Sequence, residues 1–157
     1  MIISAIVAPN HIFIQQISHP TYSSLARLDA CMAQCYNDLD TPVPQPVLPN
    51  IICAAPSMDG WYRAKVVAVY PPVEAAATTE DQKAAGTNET DFEVDICFVD
   101  YGGYSRVPAS CLRQIRADFM SLPFQSVECF LANVAPVDGN LYSMIFYNYF
   151  SGRIERF

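Results

Sequence analysis

The spacing of apolar residues changes several times along the chain, and each change predicts a different element. Ile2, Ile3, Ile6 and Val7 run up to the turn residues Ala8-Pro9-Asn10, and His11-Ile12-Phe13-Ile14 resumes the apolar run. Residues 2 to 17 therefore predict two short strands. Leu25, Leu28, Met32, Cys35 and Tyr36 then recur three and four apart. That stripe predicts a helix packed on a sheet, opened by Pro20 and Thr21, with Thr21 as its N-cap. Four prolines within residues 41 to 49 (TPVPQPVLP) predict a stiff, extended connector, a reading preferred to a ligand for a proline-recognition domain.

Beyond the connector the pattern is that of strands. Ile51 to Ala55 is the first, Pro56-Ser57-Met58-Asp59-Gly60 is a turn with Asp-Gly as its hairpin signal, and Trp61 to Tyr70 is the second. Residues 71 to 91 hold no large apolar side chain beyond Val73 and predict a mobile loop. Between Phe92 and Asp100, Phe92, Val94, Ile96 and Phe98 alternate with Glu93, Asp95, Cys97 and Val99, the period of a half-buried strand. Tyr101-Gly102-Gly103-Tyr104 predicts a tight turn and Ser105-Arg106-Val107 a short fourth strand. Pro108 is expected in the first turn of a second helix, with Leu112, Ile115, Arg116 and Phe119 facing inward and Leu122-Pro123 ending it. Ser126 to Val134 predicts a last strand, Asp138-Gly139-Asn140 a turn, and the aromatic run Leu141 to Phe150 an amphipathic helix.

Composition narrows the function. Of the 157 residues, 52% are hydrophobic and 16% charged, which suits one core-forming domain or two small joined ones. Lys and Arg number 9 against 16 Asp and Glu, a formal charge of −7. Such a surface repels phosphate backbones and attracts cationic partners, so nucleic-acid binding by this stretch alone is disfavoured. No apolar run is long enough to cross a bilayer and no basic segment with a cleavage site is visible, so neither membrane contact nor a signal peptide is expected of this stretch. Cys31, Cys35, Cys53, Cys97, Cys111 and Cys129 sit among apolar neighbours and are expected to be buried free thiols. Cys31 and Cys35 lack the second clustered pair or nearby His that a zinc site needs.

Three segments carry a family resemblance: DGWYRAKVVAVY at 59 to 70, FEVDICFVDYGGYSRV at 92 to 107, and LRQIRADFMSLPFQSVECFLANVAP at 112 to 136. Together they resemble an extended Tudor domain. The resemblance implies a mainly β fold with helices (α+β), in which a five-stranded Tudor barrel is inserted in a nuclease-like OB fold and joined to it by a linker helix. The implied division is 1–47 for the first part of the nuclease-like subdomain, 48–107 for the barrel, and 108–157 for the linker helix and the remainder, which looks clipped. Within the family, FVDYGGY followed by LRQIRADF and LPFQ is most similar to the Tudor domains of mitochondrial A-kinase anchoring proteins. That narrower resemblance implies a noncatalytic interaction module of a scaffold on the cytosolic face of the mitochondrial outer membrane. Such scaffolds bind the protein kinase A regulatory subunit through parts outside this stretch, and they associate with RNA-related proteins.

Extended Tudor domains hold a methylated arginine in a cage of four aromatics and one asparagine. Parallel ring faces attract the delocalised cation and pack against its methyl groups, each face contributing roughly 0.5–2 kcal/mol. By the resemblance, Tyr62 in WYRA matches one wall, and Phe98 and Tyr101, flanking Val99-Asp100, match two more. The fourth wall falls near Ser57 and the asparagine at Gly103, neither of which has the chemistry. One lost wall and one lost hydrogen bond together remove about 1–3.5 kcal/mol, roughly one to two orders of magnitude in affinity. Met58 and Tyr104 are possible supports, and Asp100 is expected to order the turn rather than bind a ligand. The residue pattern leaves bland readings open. Phe98 continues the Val94–Ile96 alternation and fits a core equally well, and Trp61 fits core or interface better than a cage wall.

No carboxylate pair beside an arginine marks a nuclease centre in the flanking segments, and His11 and His19 lack a nucleophile motif, so the chain is expected not to be an enzyme and to need no cofactor. The expected partner is a protein surface or an arginine-rich peptide. Two rival readings are a methylarginine reader for Piwi-type arginine-rich tails and a single-stranded RNA-binding OB/Tudor module, the latter resting on the aromatics of 142 to 150.

Overall fold

The computed structural model describes residues 1–57, 60–70 and 92–134. Met58, the loop expected at 71–91 and the aromatic helix expected at 141–150 lie outside the described residues. In chain order the strands are Ile2–Ala8 (β1), His11–Gln15 (β2), Ile52–Ser57 (β3), Gly60–Tyr70 (β4), Glu93–Phe98 (β5), Tyr104–Pro108 (β6), Arg113–Gln114 (β7) and Ser126–Phe130 (β8), with one α-helix, Leu25–Asp38 (α1). They form two antiparallel sheets, a three-stranded one of order β1-β2-β8 and a five-stranded one of order β6-β5-β4-β3-β7. Because β2 pairs with β8, from Gln15↔Ser126 to His11↔Phe130, the helix and the whole five-stranded sheet are inserted between two neighbouring strands of the smaller sheet.

The period-two alternation of β3 to β5 sets the core. Cys53, Ala55, Ala64, Val66, Val94 and Ile96 point to one side and are fully buried, together with Ala109 and Leu112. Burial pushes the Cys53 thiol up to about 12, and its S–H points to the Ala64 carbonyl (3.6 Å), so it is a packing group and not a nucleophile. The other face of the sheet receives α1. Leu25, Met32 and Tyr36 are buried along its inner stripe, and Met32 and Tyr36 pack with Ala54, Phe119, Trp61 and Ile115. Each large apolar side chain so buried contributes about 1.5–3 kcal/mol. The Tyr36 hydroxyl donates to the Gln114 carbonyl (3.0 Å) and accepts the Arg116 backbone N–H (3.2 Å), which ties the helix to β7.

Four sequence expectations are corrected. Among the described residues no second α-helix follows Pro108: Ala109–Cys111 and Ala117–Met120 are short 3-10 turns flanking β7. The competing demand is the free edge of β3, whose backbone groups β7 satisfies through Cys53↔Gln114 and Ala54↔Arg113, while Leu112 drops into the core. The described α-helix, α1, instead lies between β2 and β3. Thr21 does not cap it, since no side-chain cap bond forms there; its hydroxyl meets the His19 ring (2.8 Å) and the Gln125 amide (3.1 Å). Only Cys53 and Cys97 of the six free thiols are buried, and Cys31 is exposed. The strand at 92 to 100 is covered on both faces, because Cys97 and Val99 are buried as well as Val94 and Ile96.

Candidate functional site

The bend after β5 is built by two glycines. The Gly102 N–H donates to the Phe98 carbonyl (2.8 Å), the Phe98 N–H to the Gly103 carbonyl (3.1 Å), and the glycines adopt φ +76° and +81°. This left-handed backbone is where glycine escapes the Cβ penalty. At Gly102 it also permits close approach to the smaller sheet, since a Cβ there would stand 2.1 Å from Phe13 Cγ. At Gly103 the nearest neighbour would be Ala5 Cβ at 3.6 Å, ordinary contact. The bend leaves Phe98 at the end of β5 and Tyr101 in the loop, beside Tyr62 on β4.

Those three rings form one cluster. Tyr62 meets Phe98 edge-on at 6.2 Å and 87° and Tyr101 edge-on at 5.5 Å and 86°. All three are half-buried, so none is sealed in the core, although Phe98 also leans on the core cluster. Gly60 lies under Tyr62: an added Cβ would come 3.4 Å from its hydroxyl oxygen. Ser57, opposite Gly60 at the hairpin end, is exposed. The remaining candidates go elsewhere. Tyr104 faces the smaller sheet, in edge contact with His11 (5.9 Å) and Phe13 (5.8 Å), and its hydroxyl donates to Glu128. Burial and then this bond raise the Tyr104 phenol above its usual range, and Tyr104 and His11 hold the Glu128 carboxyl below its own. Asp100 is committed to structure: its carboxylate takes two N–H bonds from Arg63 and the Gln125 backbone N–H, and its carbonyl accepts the Gln15 amide (2.6 Å). Trp61 stacks obliquely on Tyr36 and donates to Asn37 (3.0 Å), away from the cluster.

Two residues of this region escaped the sequence reading. Arg63 is the largest fully buried side chain among the described residues, and it ties the bend to the carbonyls of Phe119, Leu122 and Pro123. Asp29 of α1 accepts the Tyr101 hydroxyl at 2.5 Å. Burial, reinforced by this carboxylate, pushes the Tyr101 phenol up, so it remains a protonated donor at neutral pH. The sequence did carry a signal for Asp29: it stands four residues after Leu25 and three before Met32, an acid within the inner stripe of an amphipathic helix. Among the described residues no group of three or more His, Cys, Asp or Glu could hold a metal ion.

With this geometry in hand, comparison with known proteins is decisive. The family model described as Tudor domain matches residues 1–77 and 86–133. This chain belongs to the Tudor domain family. The mouse protein "A-kinase anchor protein 1, mitochondrial" is 45% identical over 133 residues, covering 83% of this chain and 13% of its own length. The Caenorhabditis elegans "KH domain-containing protein akap-1" is 42% identical over 139 residues, covering 87% of this chain and 14% of its own. The chain thus spans about a seventh of these relatives. The extended Tudor domain from BmPAPI in complex with sDMA superposes with TM-score 0.68 at 27% identity, covering 87% of this chain and 61% of that one. A Drosophila melanogaster Papi extended Tudor domain in complex with a Piwi N-terminal peptide superposes with TM-score 0.66 at 29% identity, covering 86% and 59%. The Tudor domain described here therefore shares the extended form of the fold, its described residues being mostly β with one α-helix and two antiparallel sheets.

Proposed function

We propose that this Tudor domain is a noncatalytic protein-interaction module whose ligand site is the slot formed by Tyr62, Phe98 and Tyr101. One observation carries the reading: three half-buried rings converge beside the glycine bend; by the family resemblance Gly103 and Ser57 fall where an amide and a further ring would complete a cage. The slot takes a cationic side chain of a protein or arginine-rich peptide, and its affinity for symmetric dimethylarginine is weak or absent. The parent is a kinase-anchoring scaffold on the mitochondrial outer membrane, by analogy with the relatives' names, and kinase regulatory subunits are held by other parts of it. No described helix is long and apolar enough to cross a membrane. The insertion of the five-stranded sheet between β2 and β8 supports a Tudor barrel, residues 48–107 extended by β7, set within a nuclease-like OB subdomain contributed by 1–47 and 108–157.

The second reading, a reader of methylated Piwi-type tails, draws on the sDMA of the BmPAPI structure and the R10me2s peptide of a Drosophila melanogaster Papi structure. Calorimetry with a symmetric dimethylarginine peptide separates the two. The incomplete slot predicts a dissociation constant at least about tenfold weaker than that of a complete cage under the same conditions. Micromolar binding abolished by Tyr101→Ala overturns it.

A further inference from the structure

We propose that the corner where the three-stranded sheet meets β6 is a second binding site, separate from the ring slot, for a lysine side chain of a partner protein. Its residues are Glu128 and Phe130 of β8, His11 of β2 and Tyr104 of β6. The register His11↔Phe130 and Phe13↔Glu128 places these side chains on one face of the small sheet, because directly opposed residues and residues two apart share a side. That face is the one turned to the glycine bend, since Gly102 abuts Phe13 and the Tyr104 ring meets both His11 and Phe13 edge-on. None of Tyr62, Phe98 and Tyr101 takes part.

The two oxygens of Glu128 are used unequally. The Tyr104 hydroxyl and His11 Nε2 (2.7 Å) both meet Oε1, while Oε2 receives no hydrogen bond or ion pair among the described residues. Tyr104 and then His11 hold the carboxyl below its ordinary range, so it is ionised at neutral pH, and its side chain is 40% exposed. Lys65 acts on Glu128 only through space, with no hydrogen bond or ion pair between them. Phe130, two residues along the strand, is 68% exposed although it is a large aromatic. The His11 ring stacks on one of its faces at 4.3 Å and 24°, which leaves the other to solvent.

An open ring face beside an unspent carboxylate oxygen suits a side chain that is apolar along its stem and positive at its tip. The stem lies on Phe130 and the charge reaches Oε2, within the field of the ring. The distribution of bonds on Glu128 decides between the two cations. The advantage of arginine at a carboxylate is a pair of parallel N–H bonds to both oxygens, and here Oε1 already carries two partners. A lysine ammonium needs one oxygen and loses nothing. The formal charge of −7 on the chain favours approach of such a partner over long range.

The test is an NMR titration of the whole isotope-labelled chain, at one fixed ionic strength, with capped tripeptides Gly-Lys-Gly, Gly-Arg-Gly and Gly-norleucine-Gly, the last keeping the stem without the charge. The lysine peptide is expected to shift the backbone amides of His11, Tyr104, Glu128 and Phe130. It should bind there at least as tightly as the arginine peptide and about fivefold or more tighter than the norleucine one. Glu128→Gln, which keeps an oxygen for Tyr104 and His11, and Phe130→Ala are each expected to weaken lysine binding about two- to fivefold. Tyr62→Ala should leave it unchanged, which separates this site from the slot. Norleucine bound as tightly as lysine, or arginine bound about tenfold tighter than lysine, overturns the proposal in the unaltered chain, where no variant needs to fold. Lysine-induced shifts confined to Tyr62, Phe98 and Tyr101, or lysine binding that both Glu128→Gln and Phe130→Ala leave intact, overturn it as well.

Discussion

Arg63 and Asp100 form a two-pronged ion pair inside the protein: Nε to Oδ2 at 2.8 Å and Nη2 to Oδ1 at 2.6 Å, with the two side chains 0% and 3% exposed. Asp100 sits one residue before Tyr101, and Arg63 one residue after Tyr62. The pair therefore links β4 to the bend after β5, and the remaining Arg63 donors hold the segment 119–123. Removing one partner strands the other charge in a dry site, which costs about 3–5 kcal/mol. Asp100→Asn and Arg63→Met are both expected to lower the urea midpoint strongly. Arg63→Lys should rescue little, because an ammonium cannot reproduce the planar fork. The double variant Arg63→Met/Asp100→Asn should lose clearly less than the sum of the singles, which chemical denaturation measures directly.

Gly102 makes the junction between the sheets intolerant of any side chain. Its added Cβ would meet Phe13 at 2.1 to 2.6 Å in a backbone region that suits only glycine. Gly102→Ala is expected to destabilise by about 2 kcal/mol or more, summing backbone strain with a packing clash. Phe13→Ala in the same chain removes the ring but keeps its own Cβ at 2.3 Å, so it relieves the clash only in part and leaves the strain, and the two losses should be somewhat less than additive.

Gly103 behaves differently, and the difference is usable. Its φ of +81° is one that asparagine tolerates better than other side chains, and the space beyond is open to 3.6 Å. Gly103→Asn combined with Ser57→Phe should restore an amide and a ring. Dimethylarginine affinity is then expected to rise by roughly one to two orders of magnitude, at a stability cost of about 1 kcal/mol. Parallel calorimetry and thermal melting of the variant check both halves; unchanged affinity would show that these positions do not border the slot.

Acid should loosen the fold through three carboxylates. Tyr104, with His11, holds Glu128 low; Arg106 holds Asp95 low; Arg116 holds Asp118 low. A carboxyl that binds its proton more weakly in the fold than in the open chain stabilises the fold above its ordinary value, 4.5 for Glu128 and 3.8 for the aspartates. The contribution disappears as pH falls through the lowered values. All three sites touch solvent, so each contributes little by itself. The urea midpoint is expected to fall below about pH 4.5, and the fall should be shallower in Glu128→Gln, which begins less stable because Tyr104 and His11 lose their charged acceptor.

The legibility of this protein follows the range of each interaction. Strands β1 to β6, β8 and helix α1 were readable because side-chain period is a local property: Val94 and Ile96 alternate, and Leu25, Met32 and Tyr36 fall on one helical stripe. The glycine bend was readable because only glycine accepts its backbone. The segment after Pro108 was misread because its local pattern fits a helix, while the empty edge of β3 demanded a strand from it. No local signal reports an edge more than fifty residues upstream.

The same division runs through the site. The family resemblance nominated Tyr62, Phe98 and Tyr101 and assigned the missing wall and amide to Ser57 and Gly103. Their mutual edge-on arrangement, the removal of Tyr104 to the other sheet, and the arrival of Asp29 at the tip of Tyr101 came only with the fold. Residue types and periodicity fix which atoms are available and which face of an element they share. Which atoms end within a hydrogen bond of each other across 72 residues of chain is decided by how the elements pack, because burial is nondirectional and only the assembled core selects one mutual placement.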